Sequence, residues 1–386
     1  MSTPALWDNI VCFEHEDQGT IGPLVHMYFE RSGSVPVSVQ IPARASRLIS
    51  PYTERISRLT MFINTGLDLN EIAEHLSKSA PLLGTTTFHV RHWDSHGLAL
   101  PPGFFEGFLS SAKNLALHGA ILSPGPSSLS KLTKLVLETH PSGSTSTIIL
   151  RMLEHMPMLR IFEAKLNRMF PRDPDGDREV TLPHLKTIAL VADDYLFTPF
   201  AGPVLPSLCL PSAREVMMRS VNANGAPITP LLPLSFGDRL PNFTVLPKAS
   251  LVLDKDINDI KFYGLDRSKL TISINSSVHY AFTHSTFGGL PFSSVRKLRV
   301  SFRSHDVDAL FFVHLLRFMK GLELLQIGRN SVGALICWIE EDEQAWICPV
   351  LTTLIVVDKT EEYVEVLKQV RERAGVPIAN VEVRHH

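Results

Sequence analysis

Residues 294–328 read SVRKLRVSF, RSHDVDALFFVHLLRFMKG and LELLQIG in succession, and this stretch decides the fold. A short alternating segment (Leu298, Val300) leads into a helical pattern, and the helix leads into a second alternating segment (Leu325, Ile327). Alternation of period two puts both apolar residues of such a strand on one face. In the helix, Val307, Leu310, Phe311, Leu315 and Phe318 fall within one broad arc, as a packed helix requires. Phe312, Val313 and Leu316 lie outside that arc, so this helix is expected to meet neighbours on more than one side. A strand–helix–strand unit of this size cannot bury itself alone and needs copies.

The copies are present. Taking the first residue of each apolar-x-apolar pair gives Val39, Leu59, Phe88, Leu115, Leu135, Phe162, Ile188, Val216, Leu251, Ile272, Leu298, Leu325, Leu354 and Val381. Most intervals are 26–29 residues, and a step of 35 is compensated by one of 21. That compensation predicts an inserted or displaced strand near residues 225–250. Several units keep L-x-x-L-x-L spacing: Leu132/Leu135/Leu137, Leu185/Ile188/Leu190, Leu322/Leu325/Ile327 and Leu351/Leu354/Val356. One strand and one helix per roughly 20–29 residues is the signature of leucine-rich repeats. The expected fold is therefore α/β: a curved leucine-rich-repeat solenoid with short parallel strands on the concave face and helices on the convex face. A doubly wound α/β domain also alternates strands with helices, but seldom at one spacing through so many units.

Composition agrees with a packed array. Hydrophobic residues make up 44% and charged residues 20% of 386, enough for a continuous core. A net charge of −2 gives no reason to expect nucleic acid or an anionic membrane as the main ligand. No apolar run approaches the roughly 20 residues a spanning helix needs, and MSTPALWDN does not read as a secretory signal. Cys12, Cys209, Cys337 and Cys348 are scattered without a C-x-x-C pair, which fits reduced thiols in a cytoplasmic or nuclear protein. The sequons at Asn242 and Asn275 then carry no glycan.

The N-terminal 31 residues are not a repeat. TPALW (Thr3–Trp7) is followed by a helical stretch at 21–31 with Leu24, Met27 and Tyr28, and then by ERSGSVP. This order resembles the F-box/leucine-rich-repeat proteins that mushroom-forming fungi encode in large numbers. In that family a T-P-x-L-W element closes the F-box region, matched here by Thr3, Pro4, Leu6 and Trp7. An E-R-S-G-S-x-P element opens the repeats, matched by Glu30 to Ser34 with Pro36. The resemblance implies a substrate-recognition domain of an SCF-type ubiquitin ligase. Residues 1–31 would be the remnant that follows an F-box and caps the array, and 32–386 the repeats, with an irregular segment near 222–250. The F-box core, which would dock onto the ligase linker subunit, is not within this sequence, so that partner is expected only if an F-box lies upstream. The alternative is a free-standing scaffold or decoy unconnected with ubiquitin.

Further along, helices are expected at 69–79 and 146–155, and Pro-, Gly- and Asp-rich irregular segments at 167–181 and 191–211. The last helix would start after Thr360, carry a stripe of Tyr363, Val366, Leu367 and Val370, and stop at Gly375.

Catalytic chemistry finds no support: the sequence lacks a G-x-S-x-G elbow, a phosphate-binding G-x-x-x-x-G-K-[ST] loop and a G-x-G-x-x-G turn. His89, His92 and His96 have the residue type of zinc ligands, but 89 and 92 on a strand point to opposite faces. Asp173, Asp175 and Asp177 resemble the start of a calcium loop, yet the positions that need Gly and a bidentate Glu hold Arg178 and His184. Glu340–Glu343, between Trp338 and Trp346, reads as a charged outer face, with a basic partner as the other option. Neither cofactor nor metal is expected, and the protein reads as a non-enzyme.

The concave face is the expected binding surface for a protein partner. Strand residues that flank the buried pairs place Thr87, His89 and Arg91, then Asn114, His118, Lys134, Glu138, Glu163 and Lys165 on it. Glu215, Arg219, Thr271, Ser273, Lys297 and Arg299 follow, and Leu324, Ile355 and Val357 make its far end apolar. The contact set expected from these is Arg91, His118, Lys134, Glu163, Lys165, Arg219, Lys297, Arg299, Ile355 and Val357.

Overall fold

The computed structural model describes residues 4–12, 18–64, 66–90, 98–100, 107–122, 127–139, 146–166, 179–192, 204–220, 236–253, 257–275, 290–303, 309–328, 332–341, 347–357 and 361–384. These form two compact units, one of residues 1–190 with 201–210 and one of 191–200 with 211–386.

In the first unit the strands are β1 (Asn9–Val11), β2 (Val37–Pro42), β3 (Ile56–Ile63), β4 (Thr85–Val90), β5 (Leu98–Leu100), β6 (Asn114–His118), β7 (Ala120–Leu122), β8 (Lys134–Thr139), β9 (Ile161–Leu166), β10 (Val180–Thr181), β11 (Thr187–Ala192) and β12 (Leu208–Cys209). The main sheet takes β1, β2, β3, β4, β6, β8, β9 and β11 in chain order. Its described pairings from β1 to β9 are all parallel. The remaining strands make two small parallel ribbons, β5 with β7 and β10 with β12. Both strands of the second ribbon lie in the segments expected to be irregular, 167–181 and 191–211, and so correct that expectation there. The sheet also starts earlier than expected, because Ile10 on β1 pairs in register with Val39.

One strand per repeat, added in order, requires that each strand begin at the same place in its unit. A backbone device enforces this. The carbonyl of Gly84 accepts from the N–H groups of both Lys113 and Asn114, and that of Lys113 from Thr133 and Lys134. Thr133 likewise serves Arg160 and Ile161, and Arg160 serves Lys186 and Thr187, all at 2.7–3.1 Å. The leucines fill the core beneath: Leu132, Leu135, Leu137, Leu185, Ile188 and Leu190 are all buried.

The second unit contains β13 (Glu215–Ser220), β14 (Lys248–Leu253), β15 (Ile257–Tyr263), β16 (Lys269–Asn275), β17 (Lys297–Phe302), β18 (Leu324–Ile327), β19 (Thr353–Val356) and β20 (Asn380–Val383). The same device recurs, with Pro247, Arg296 and Glu323 each accepting two N–H groups from the next strand. Here the spatial order is β13-β16-β15-β14-β17-β18-β19-β20. β14, β15 and β16 form an antiparallel meander that enters the sheet backwards, while β14 is parallel to β17 and β16 to β13. The compensated intervals therefore mark more than one displaced strand. They conceal an additional antiparallel strand, β15, and an inverted strand order. Residues 222–235 of the expected irregular segment lie outside the described residues.

The register also corrects three marked positions. The in-register neighbour of Leu59 and Leu115 is Thr86, not Phe88. Leu298 faces Ala249, not Leu251, and Val216 faces Leu270, not Ile272. A search for paired large apolar residues passes over Thr86 and Ala249, and for β16 it takes the second member of the Leu270/Ile272 pair.

Helices pack beside the sheet, each on its neighbour: Ala309–Leu316 on Val332–Glu341, and that helix on Glu361–Arg373. Helices Gly66–His75 and Ser146–Glu154 stand where expected, whereas Val332–Glu341 was not anticipated. Single 3₁₀ turns precede some of the strands, as at Phe108–Ser111 and Phe292–Ser294. In Ala309–Leu316 the buried residues include Phe312, Val313, Leu315 and Leu316, so the side outside the expected arc is packed. In the last helix the buried line is Val364, Leu367 and Arg371, and Val366 is exposed. Gly375, at φ +78°, ends that helix as expected. These features define the α/β leucine-rich-repeat solenoid. No helix among the described residues is long and apolar enough to cross a membrane.

Candidate functional site: the open face of the strands

Burial alternates along most of the described strands, so a typical repeat offers two or three side chains to the face opposite its core. On β3, Leu59, Met61 and Ile63 are buried while Arg58, Thr60 and Phe62 are not. Register then aligns these outward residues into rows that cross the strands.

In the first unit one row runs Phe62, His89, His118, Glu138, Lys165 over five adjacent strands. Its members touch in sequence. Phe62 stacks on His89 with ring centroids 5.3 Å apart, and His89 on His118 at 4.5 Å and 9°. His118 Nδ1, carrying its proton there, donates to Glu138 Oε2 at 2.8 Å, and Lys165 Nζ donates to Glu138 Oε1 at 2.9 Å. The hydrogen bond from His118, followed by that from Lys165, holds the Glu138 carboxyl below the ordinary glutamate range, against a smaller opposing effect of burial. Beside this row, Lys134 Nζ donates to Glu163 Oε1 at 2.8 Å. His118, Lys134, Glu163 and Lys165, widely separated in sequence, are thus brought together on adjacent strands. Arg91, His92 and His96 lie outside the described residues. His89 stacks between two rings.

In the second unit the first outward row is Glu215, Lys269, Tyr263, Lys248, Lys297, Leu324, Thr353, Asn380. The next is Met217, Thr271, Lys261, Ser250, Arg299, Gln326, Ile355, Glu382. Lys297 and Arg299 stand exposed beside Lys248, and Arg219 is exposed on β13. Ile355 is half-buried on β19, and Val357, just past it, hydrogen-bonds through its N–H to Ile327 O. Thr271 and Ser273 depart from expectation. They are only 4% and 9% exposed, because their short side chains lie between the longer Met217, Arg219, Lys261 and Asp259.

Sequence reasoning missed Lys248, Lys261 and Phe62. Lys248 was hidden by the two-residue phase error on β14, and Lys261 by the unseen strand. The alternation of Ile260 and Phe262, ahead of the turn around Gly264, was the available signal for β15. Among the described residues the other candidates are accounted for within the fold. Trp338 is buried in the core rather than flanking a docking run, and Glu340 is exposed at the helix end. Asp342, Glu343, Trp346 and the loop of Asp173, Asp175 and Asp177 lie outside the described residues. Asn242 donates to Pro211 O and Ala213 O, an internal role.

Neither family models nor curated proteins match this sequence. Among solved structures, the chain is similar to the crystal structure of a TLR13–ssRNA13 complex, with a TM-score of 0.37 and 14% identity. The match covers 91% of this chain but 45% of that one, so this chain spans less than half of its length.

Proposed function

We propose that the protein is a non-enzymatic recognition domain that binds a protein partner on the open face of its strands. The observation that carries this reading is the Phe62–His89–His118–Glu138–Lys165 row. Five strands present a half-exposed series of ring faces and paired charges. Such a mixed polar and aromatic surface suits complementarity with another protein.

The finer reading is the substrate-recognition part of an F-box-type ubiquitin ligase adaptor. Its support is that the two motifs of the resemblance pack as one piece. Trp7 meets Tyr28 edge-on at 5.1 Å, and the Arg31 guanidinium lies 4.5 Å over the Trp7 ring. Gly33 of the second motif takes φ +58°, a conformation that favours glycine. Arg55 from the next repeat donates to Phe29 O, Ser32 Oγ and Val35 O, fastening that motif to the array. Affinity capture of the chain, alone and extended by in-frame upstream sequence, tests this reading. Ligase subunits are expected with the extended form only, together with a partner common to both. Ligase subunits with neither form would leave a scaffold.

A further inference from the structure

We infer that the strand face of the second unit docks an extended protein segment in which clustered Asp or Glu side chains are followed by apolar ones. This rests on the reading of the strands as a recognition surface and adds the chemistry of its partner.

Register places Lys248 directly beside Lys297, and Arg299 is the next outward residue of β17. In-register neighbours on adjacent strands are about 4.8 Å apart, and successive outward residues about 6.6 Å. All three cations are exposed. Among the described residues none of them has a carboxylate partner, although Lys269 is held by Glu215 at 3.4 Å and Lys261 by Asp259 at 3.6 Å. The chain as a whole carries a net charge of −2, so this cluster is a local concentration. Like charges this close repel one another, and an anion that meets several of them relieves the repulsion.

What lies beside the cluster selects the kind of anion. Moving from β17 to β18 and β19, the rows change to Leu324, Gln326, Thr353 and Ile355, with Val357 just beyond. The face passes from cationic to uncharged, with apolar contact offered by Leu324, Ile355 and Val357, within two strands, about 10 Å, which an extended chain covers in about three residues. A polypeptide can change chemistry over that distance. A nucleic acid strand carries its phosphates throughout and would set charge against the apolar part. An acidic run followed about three residues later by Leu or Val fits both halves.

The test is fluorescence anisotropy on the full chain. The probes are a labelled peptide with a run of Glu followed by Leu and Val, its Gln-for-Glu counterpart, and a single-stranded RNA of similar charge. The acidic peptide is expected to bind at least about tenfold more tightly than the Gln form, and to weaken as salt rises. Lys297→Glu with Arg299→Glu should remove that advantage while leaving the thermal melt unchanged. Lys320→Glu, on an exposed turn outside the patch, serves as the charge control and should bind like wild type. Absence of binding, equal binding of the Gln form, or indifference to the double substitution would overturn the inference. Tighter binding of the RNA, lost in the same double variant, would also overturn it and assign the patch to nucleic acid. Each of these outcomes leaves the broader recognition reading to be decided by whether captured partners cross-link to the strand face.

Discussion

Thr86 takes the position that Leu59 and Leu115 occupy in adjacent repeats; it is fully buried, and its hydroxyl has no hydrogen-bond partner among the described residues. A buried hydroxyl left unpaired costs about 1–3 kcal/mol. Thr86→Val keeps the shape and removes the polar group, so it should raise stability by about 1 kcal/mol, read by chemical denaturation. Charges on the open face behave differently. Lys134 and Glu163 form a pair at 2.8 Å, with side chains 37% and 41% exposed. Lys134→Asp should cost no more than about 1 kcal/mol, since exposed pairs contribute little. For Glu138 the sign follows from its lowered pKa. A carboxylate favoured in the folded state adds stability above its unfolded pKa and loses it as pH falls through the folded value. Wild type should therefore lose stability more steeply than Glu138→Gln as pH drops from the ordinary glutamate range downward. Parallel pH profiles for the two proteins would contradict the pairing with His118 and Lys165.

At the scale of elements, the legible part of the fold was the part carried by large apolar residues in period. Leu322, Leu325 and Ile327, and Leu351, Leu354 and Val356, all lie in the core, because that spacing is what one strand per repeat demands. Leu325→Asp would bury an unpaired carboxylate and should destabilise the array by several kcal/mol. The meander was illegible for a physical reason: residues 248–275 alternate as strands do, but alternation carries no information on direction or order. Phe262, on the unanticipated β15, is fully buried and meets Phe292 edge-on at 5.3 Å. Phe262→Ala should cost about 3–5 kcal/mol if β15 belongs to the core. A neutral result would contradict the inverted order. The last helix shows the opposite limit. Its buried line includes Arg371, which no apolar pattern could reveal, and which donates to Ile347 O at 2.7 Å and Cys348 O at 3.0 Å. Those bonds hold the turn in which Cys348 takes φ +48°.

At the scale of the whole molecule, the open-face residues of both units were largely visible in the sequence, since the strand period alone fixes which way His118, Lys134, Lys297 and Arg299 point. Which of them become neighbours was not visible, because that depends on register and on the strand order around β14 to β16. The central claim is that recognition takes place on this face. The most direct test is site-specific photo-cross-linking in cells. A photoreactive residue would replace Lys134, Arg299 or, as a control on the last helix, Glu365, which is exposed. The account predicts discrete cross-linked partners from at least one of positions 134 and 299 and none in common with position 365. Partners captured from position 365 alone, or equally from all three, would contradict it.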